Sequence, residues 1–227
     1  MRLLLSVFLA ASLMQAGVVF QQDFESGLGS GFSGAGAVES SQGLSAFGFG
    51  QNHLRNSGSA ATVLSLTGLA PHTTITLQFD LAMWDSIDFA IFAVDIFQVR
   101  LDGNFISNGP FGNYFGPGGC DSGCIVGPAG SSQLTPGVIS FSAPNYGYNP
   151  GNRDSAHRMS LTVAHTASTA AFEWIFPNSE RGINESFGID NIVISTNALD
   201  TNTVPEPSTW WMLGAGLSVL GVRRFRR

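Results

Sequence analysis

Lysine is absent from this chain, cysteine occurs twice, and charged residues make up only 11% of its 227 positions. Without lysine all fixed positive charge rests on arginine, and Arg2, Arg223, Arg224, Arg226 and Arg227 sit at the two ends. The stretch from Gly17 to Asn202 keeps Arg55, Arg100, Arg153, Arg158 and Arg181 against fifteen carboxylates, a formal charge of −10. Such an excess of anions with no basic groove repels phosphate backbones, so no nucleic-acid partner is expected. It suits a hard cation held by oxygen ligands. Catalytic patterns are scarce as well. No G-x-S-x-G elbow gives a serine a hydrolase setting. Gly29 to Gly34 satisfies G-x-G-x-x-G, yet no helical pattern follows it. His157 and His165 are eight apart with no third metal ligand spaced beside them, and Glu173, Glu180 and Glu185 match no retaining-glycosidase spacing. The chain is therefore not expected to be an enzyme.

Long apolar runs are missing too; the two that occur are short and terminal. Met1-Arg2 followed by Leu3 to Met14 has the basic start and short apolar body of a secretory signal peptide, expected to be cleaved after Ala16. At the other end, Trp210 to Val222 is apolar apart from Ser218. At about 1.5 Å per residue a helix there reaches roughly 20 Å, short of the roughly 30 Å hydrocarbon core. Interfacial Trp210 and Trp211, and snorkelling Arg223, Arg224, Arg226 and Arg227, extend its reach and place the arginines on the cytoplasmic side. Before it, Val204-Pro205-Glu206-Pro207-Ser208 is held extended, because each proline fixes its own φ and pushes the preceding residue out of the helical region. The expected organisation is a signal peptide over 1–16, an ectodomain over 17–196, a linker over 197–209, a transmembrane helix over 210–222 and a basic tail over 223–227.

The order of these three C-terminal parts, Val-Pro-Glu-Pro-Ser, a glycine-containing apolar helix and an arginine cluster, resembles the bacterial PEP-CTERM protein-sorting signal. The resemblance implies processing by an exosortase, an integral-membrane cysteine transpeptidase, near Pro205-Glu206-Pro207. It implies a protein exported through the inner membrane, transiently anchored by its C-terminal helix, then passed to the cell surface or the extracellular exopolysaccharide matrix. For an exported chain, Cys120 and Cys124, separated by Asp121-Ser122-Gly123, are expected to close a small disulfide loop. Two thiolates without nearby histidine cannot complete a zinc site.

Between the ends the pattern is β throughout. Ile75, Leu77, Phe79 and Leu81 alternate with Thr74, Thr76, Gln78 and Asp80, the period of two of a half-buried strand. Phe97, Val99 and Leu101 alternate likewise, and Asp102-Gly103 turns the chain into Asn104-Phe105-Ile106 as a hairpin. Met159 to Val163 and Phe172 to Phe176 repeat the alternation, with further strands expected at Ala60 to Leu66, Val138 to Phe141 and Ile189 to Ser195. Phe24 to Gly50 and Asn108 to Pro136 read as long loops or weak strands. Several short antiparallel strands with polar outer faces imply an all-β, jelly-roll-type sandwich of two sheets.

Phe20 to Glu25 and Asn184 to Ile194 resemble the first and last strands of galactose-binding-like and other carbohydrate-binding jelly-roll modules. In those modules a calcium ion is often held between the two strands, which makes Glu25 and Asp190, with Asp23, candidate calcium ligands here. The alternative for Asp190 is a hydrogen bond to loop backbone at a strand entrance. Trp84, Tyr114, Tyr146 and Tyr148 are candidate glycan-stacking aromatics, since a ring face matches the apolar face of a pyranose; the alternative is that they cover the core edge. Asp85 and Asp88, beside Trp84, form a second cation site, a ligand-facing loop or a self-satisfied turn. The resulting expectation is an exported surface or matrix protein that binds glycan. Its alternatives are a non-binding structural protein or, further off, a secreted glycosidase.

Overall fold

The structure is a computed structural model that describes residues 16–85, 87, 89–90, 93–111, 131–134, 139–140, 148, 153–177 and 185–198. It is all-β, with two antiparallel sheets face to face. The large sheet runs β11 (Ser131–Gln133), β13 (Arg153–Ala164), β6 (His72–Asp85), β15 (Glu185–Ala198), β4 (Asn52–Asn56), β3 (Ala37–Ser40), with β1 (Ala16–Gln22) on β15 and β12 (Ile139–Ser140) on β13. The small sheet runs β10 (Asn104–Pro110), β9 (Ile96–Leu101), β14 (Thr169–Ile175), β5 (Thr62–Thr67), β2 (Phe32–Gly34). A two-stranded ribbon pairs β7 (Phe89–Ala90) with β8 (Ala93–Val94). From β5 in the small sheet the chain passes to β6 in the large one, returns for the β9–β10 hairpin, goes back for β11, β12 and β13, then crosses to β14 and back to β15, changing sheet between these groups. This alternation is what makes the sandwich a jelly-roll type rather than two stacked meanders. Among the described residues no helix is long and apolar enough to cross a membrane.

The strand pattern explains the packing. Ile75, Leu77, Phe79, Leu81 and Met83 of β6 point inward with Met159 and Leu161 of β13, against Phe97, Val99 and Leu101 of β9 and Phe172 and Trp174 of β14. Phe79 meets Trp174 edge-on at 5.9 Å between ring centroids, a favoured aromatic geometry. The hairpin at Asp102-Gly103 forms as expected, and its second strand continues to Pro110. The stretch from Phe24 to Gly50 contains two short strands and a 3₁₀ turn over Leu44–Phe47.

In β15 the inward positions change parity. Phe187 and Ile189 point into the core, then Ile192 and Ile194 do, because the ladder with β6 passes from Asp190↔Asp80 to Val193↔Gln78 and so carries one extra residue. Asn191 takes that place with φ 50°, the left-handed conformation asparagine tolerates. The bulge also divides the far edge of β15, with β4 pairing residues 187–189 and β1 pairing residues 192–197.

Candidate functional site at the first and last strand seam

The bulge re-aims two polar side chains at the outer face of the large sheet. Asp190 is wholly buried; its Oδ2 accepts the Gly50 N–H at 2.8 Å and its Oδ1 accepts the Asn191 N–H at 2.7 Å. The Asn191 amide donates to the Gly48 carbonyl and to Asp80 Oδ2, each at 2.8 Å. Asp80, also wholly buried, is clasped by Arg158 through Nε–Oδ1 at 2.8 Å and Nη2–Oδ2 at 2.9 Å, a fork-to-fork pair. In the turn after β1, Glu25 Oε1 accepts the Asn52 N–H at 2.9 Å, and Asp23 Oδ1 accepts the Glu25 N–H at 3.2 Å. A Cβ on Gly50 would overlap Glu25 Oε1, so only glycine lets that carboxylate lie along the loop. Glu25 and Asp190 thus grip the same short segment, residues 50–52, from opposite ends of the chain.

Burial, more than the charges of Asp80 and Glu25, pushes the Asp190 carboxyl up to about 6, against the opposing pull of the two N–H donors. This is the surrounding in which an oxygen-liganded cation would relieve repulsion, and in that respect the carboxylates suit calcium. Both oxygens of Asp190 are already hydrogen-bonded, however, and among the described residues no three His, Cys, Asp or Glu side chains are grouped to hold a metal ion. The contacts in place are those of the backbone-binding alternative.

Beside the bulge lies a cavity of about 410 Å³ lined by Gln21, Gln22, Asp23, Ser26, Asn191, Ile192 and Val193. Its Val193 pairs with Gln78, which brings its rim beside a polar ladder on β6 and β13. Thr76 and Thr162 hydroxyls meet at 2.9 Å, Gln78 donates to Ser160 at 3.4 Å, and Arg158 is about half exposed above Asp80. Sequence reasoning had set Thr76, Gln78 and Asp80 on the polar side of β6. It missed Gln21, Ser26, Asn191 and Arg158 as neighbours; the Asp190-Asn191 doublet, which breaks the alternation of the last strand, was the available signal.

Trp84 requires a correction. It is wholly buried in a second apolar cluster, with Leu44, Phe49, Ala82 and Ala156, on the outer face of the large sheet. It cannot offer a face to a sugar, because the 3₁₀ turn folds over it and Tyr148 abuts its ring edge-on at 5.6 Å. Tyr148 in turn has the Arg55 guanidinium 3.4 Å from its ring centroid. Phe105, beneath Arg100 at 4.5 Å, is the one exposed aromatic among residues whose burial is described. Asp85 is buried next to Asp154, and its N–H donates to Asp154 Oδ1 at 2.8 Å. Burial, chiefly, lifts the Asp154 carboxyl to about 7 and lowers the imidazoles of His53 and His157 to about 4. Tyr114, Tyr146, Asp88, Cys120, Cys124, the signal-peptide run and the tail from Val204 to Arg227 lie outside the described residues.

Among solved structures the chain is similar to the CBM22-1 xylan-binding domain from Paenibacillus barcinonensis Xyn10C, at 10% identity over 83% of this chain and 99% of that one, with a TM-score of 0.44. It is also similar to a family 35 carbohydrate binding module from an environmental isolate, at 13% identity, 80% and 99% coverage and a TM-score of 0.37. A third is the K3 cleaved adhesin domain of Lys-gingipain from Porphyromonas gingivalis w83, at 12% identity, 80% and 99% coverage and a TM-score of 0.38. No curated protein matches the chain. Residues 203–227 match the family model of the PEP-CTERM protein-sorting motif, so the chain carries the signal of an exported, sorted protein.

Proposed function

We propose that this is an exported surface or matrix protein, released from its membrane anchor by an exosortase, whose sandwich binds extracellular glycan through the outer face of the large sheet. The sorting motif at 203–227 supports the destination. The observation that carries the binding role is the cavity at the β1–β15 seam beside the Thr76, Thr162, Gln78 and Ser160 ladder, the two joined by the pairing of Val193 with Gln78. Amides and hydroxyls on a sheet face match the donors and acceptors around a sugar ring, and their positions are held by the strand pairing beneath them. Binding rather than catalysis is favoured because Asp154, a carboxyl that burial raises to about 7, is wholly buried and out of reach of a polysaccharide. A calcium ion between Glu25 and Asp190 belongs to the same proposal, as the cation that would tie the first strand to the last.

The burial of Trp84 supports a second reading, a structural matrix protein with no glycan site. Affinity electrophoresis of the purified full-length protein through gels containing exopolysaccharides, with calcium and with chelator, separates the two. Retardation that weakens on Gln21→Ala and Gln78→Ala supports the binding face, and calcium-dependent retardation supports the ion. Unretarded migration in every gel favours the structural reading.

A further inference from the structure

At the end of the sandwich away from the aromatic cluster, two histidines 93 positions apart meet inside the fold. His72, in β6, is 2% exposed; His165, just past β13, is 9% exposed; their rings lie nearly parallel, 5.0 Å apart. His72 Nε2 and His165 Nδ1 are 2.7 Å apart. The outer nitrogens are committed. His72 Nδ1 lies 2.6 Å from the Ala70 carbonyl, which can only accept, so that nitrogen carries its proton. His165 Nε2 lies 3.1 Å from Asp102 Oδ2, whose carboxylate also accepts the Ala171 N–H, so this nitrogen is the donor as well. Two neutral rings with those tautomers would bring two bare lone pairs together at 2.7 Å. Two imidazolium rings would bring two N–H groups together. One proton between the rings satisfies every atom. A metal ion fits the distance poorly, since nitrogens bound tetrahedrally at about 2.0–2.1 Å stand roughly 3.3 Å apart.

We propose that His72 and His165 hold a single shared proton, and that this imidazole–imidazolium pair, neutralised by Asp102, latches the end of the large sheet to the β9–β10 turn of the small one. The latch has backbone company. His165 N–H donates to the Thr73 carbonyl at 3.0 Å and Asp102 N–H to the Ala171 carbonyl at 2.9 Å, so all three side chains stand on fixed strand ends. Asp102 takes a left-handed φ of 51° at the turn, the geometry that directs its carboxylate back to the pair. Asp102 is the charged group bonded to the pair among the described residues. The nearest charges along the same strands, Arg100 and Glu173, face each other at 3.9 Å. The β15 residue beside β6 here, Asn197, is uncharged and binds the Thr73 and Thr74 N–H groups. The latch is therefore closed only while the pair holds one proton, and it weakens both when that proton leaves at high pH and when a second arrives at low pH.

The test is a double-mutant cycle on the full-length protein, with His72→Gln, His165→Gln and both together, unfolded by urea across a pH series. Coupling between the two positions is expected to be worth about tenfold in the folding equilibrium near its maximum, the scale of a charged hydrogen bond, and to fall on both the acid and the alkaline side. In the unmutated protein one proton resonance should couple to the ¹⁵N nuclei of both rings, a readout independent of whether the variants fold. A coupling flat in pH, two neutral imidazoles in the spectrum at the coupling maximum, or a coupling abolished by chelator would each overturn the proposal, the last by assigning the site to a metal.

Discussion

Replacing Asp154 by asparagine should change sign in its effect on stability as pH rises. The carboxyl is wholly buried, Oδ1 accepts the Asp85 N–H at 2.8 Å, and Oδ2 has no hydrogen-bond partner among the described residues. Burial first, and the Asp85 charge after it, lift the group from 3.8 to about 7, while the Asp85 N–H pulls the other way. A carboxyl whose folded pKa is raised binds more protons folded than unfolded, so stability is highest below the unfolded value and falls as pH rises toward the folded one. Roughly three units at about 1.36 kcal/mol each make the ionised group cost on the order of 4 kcal/mol in the folded state. Asparagine keeps the Oδ1 acceptor but sets an unpartnered amide at Oδ2, a loss of about 1–3 kcal/mol at every pH. Asp154→Asn should therefore destabilise at about pH 4, where the folded carboxyl is still protonated, and gain on the parent by about 4 kcal/mol between there and about pH 8.5, reaching net stabilisation. Urea unfolding of both proteins at the two pH values measures this, and the titration of His53 and His157 cancels in the difference. A mutant-minus-parent stability that is the same at both pH values would refute the buried-acid reasoning.

Arg158→Ala should destabilise by about 2 kcal/mol: it strips the fork from buried Asp80 but leaves the Asn191 amide in place and water free to enter from the exposed side. Chemical denaturation measures it, and an effect below about 0.5 kcal/mol would mean that Asp80 is not dependent on the arginine. Gly188→Ala should cost about 1–3 kcal/mol or more, because its Cβ would overlap His53 Cδ2 and crowd Trp84 Nε1 at 3.0 Å under the folded-over turn. A parent-like melting temperature for Gly188→Ala would show that the His53 ring is free to give way.

The parts legible in the sequence were those where burial is one-sided. Ile75 to Leu81, Phe97 to Leu101 and Met159 to Val163 each have one face on the core and one toward solvent, so their period of two survives in the order of residues. β4 left no such trace, since His53, Leu54, Arg55 and Asn56 are all buried, covered on one face by the core and on the other by the Trp84 cluster. The same cover misled the reading of Trp84: a tryptophan on the polar side of β6 reads as exposed until the 3₁₀ turn and Tyr148, both distant in sequence, close over it. Asp190 stands beside a bulge inside β15 rather than at a strand entrance, and its partners, Gly50 and Asn191, depend on that bulge, which residue spacing alone does not place. The His72–His165 contact joins a strand start to a strand end through ten paired residues of β6 and β13, a register no local pattern encodes.

The C-terminal sorting signal carries the proposed destination, and fractionation of cells producing the Pro205→Ala, Pro207→Ala double mutant tests it most directly. The substitutions leave the apolar run and the arginine cluster intact and remove only the two prolines of the motif, with the φ restriction that proline carries. The account predicts normal export of both proteins, release of the parent to the cell surface or medium as a shortened form, and accumulation of the mutant at full length in the inner membrane. Release of the double mutant at the parent's size and rate would contradict it.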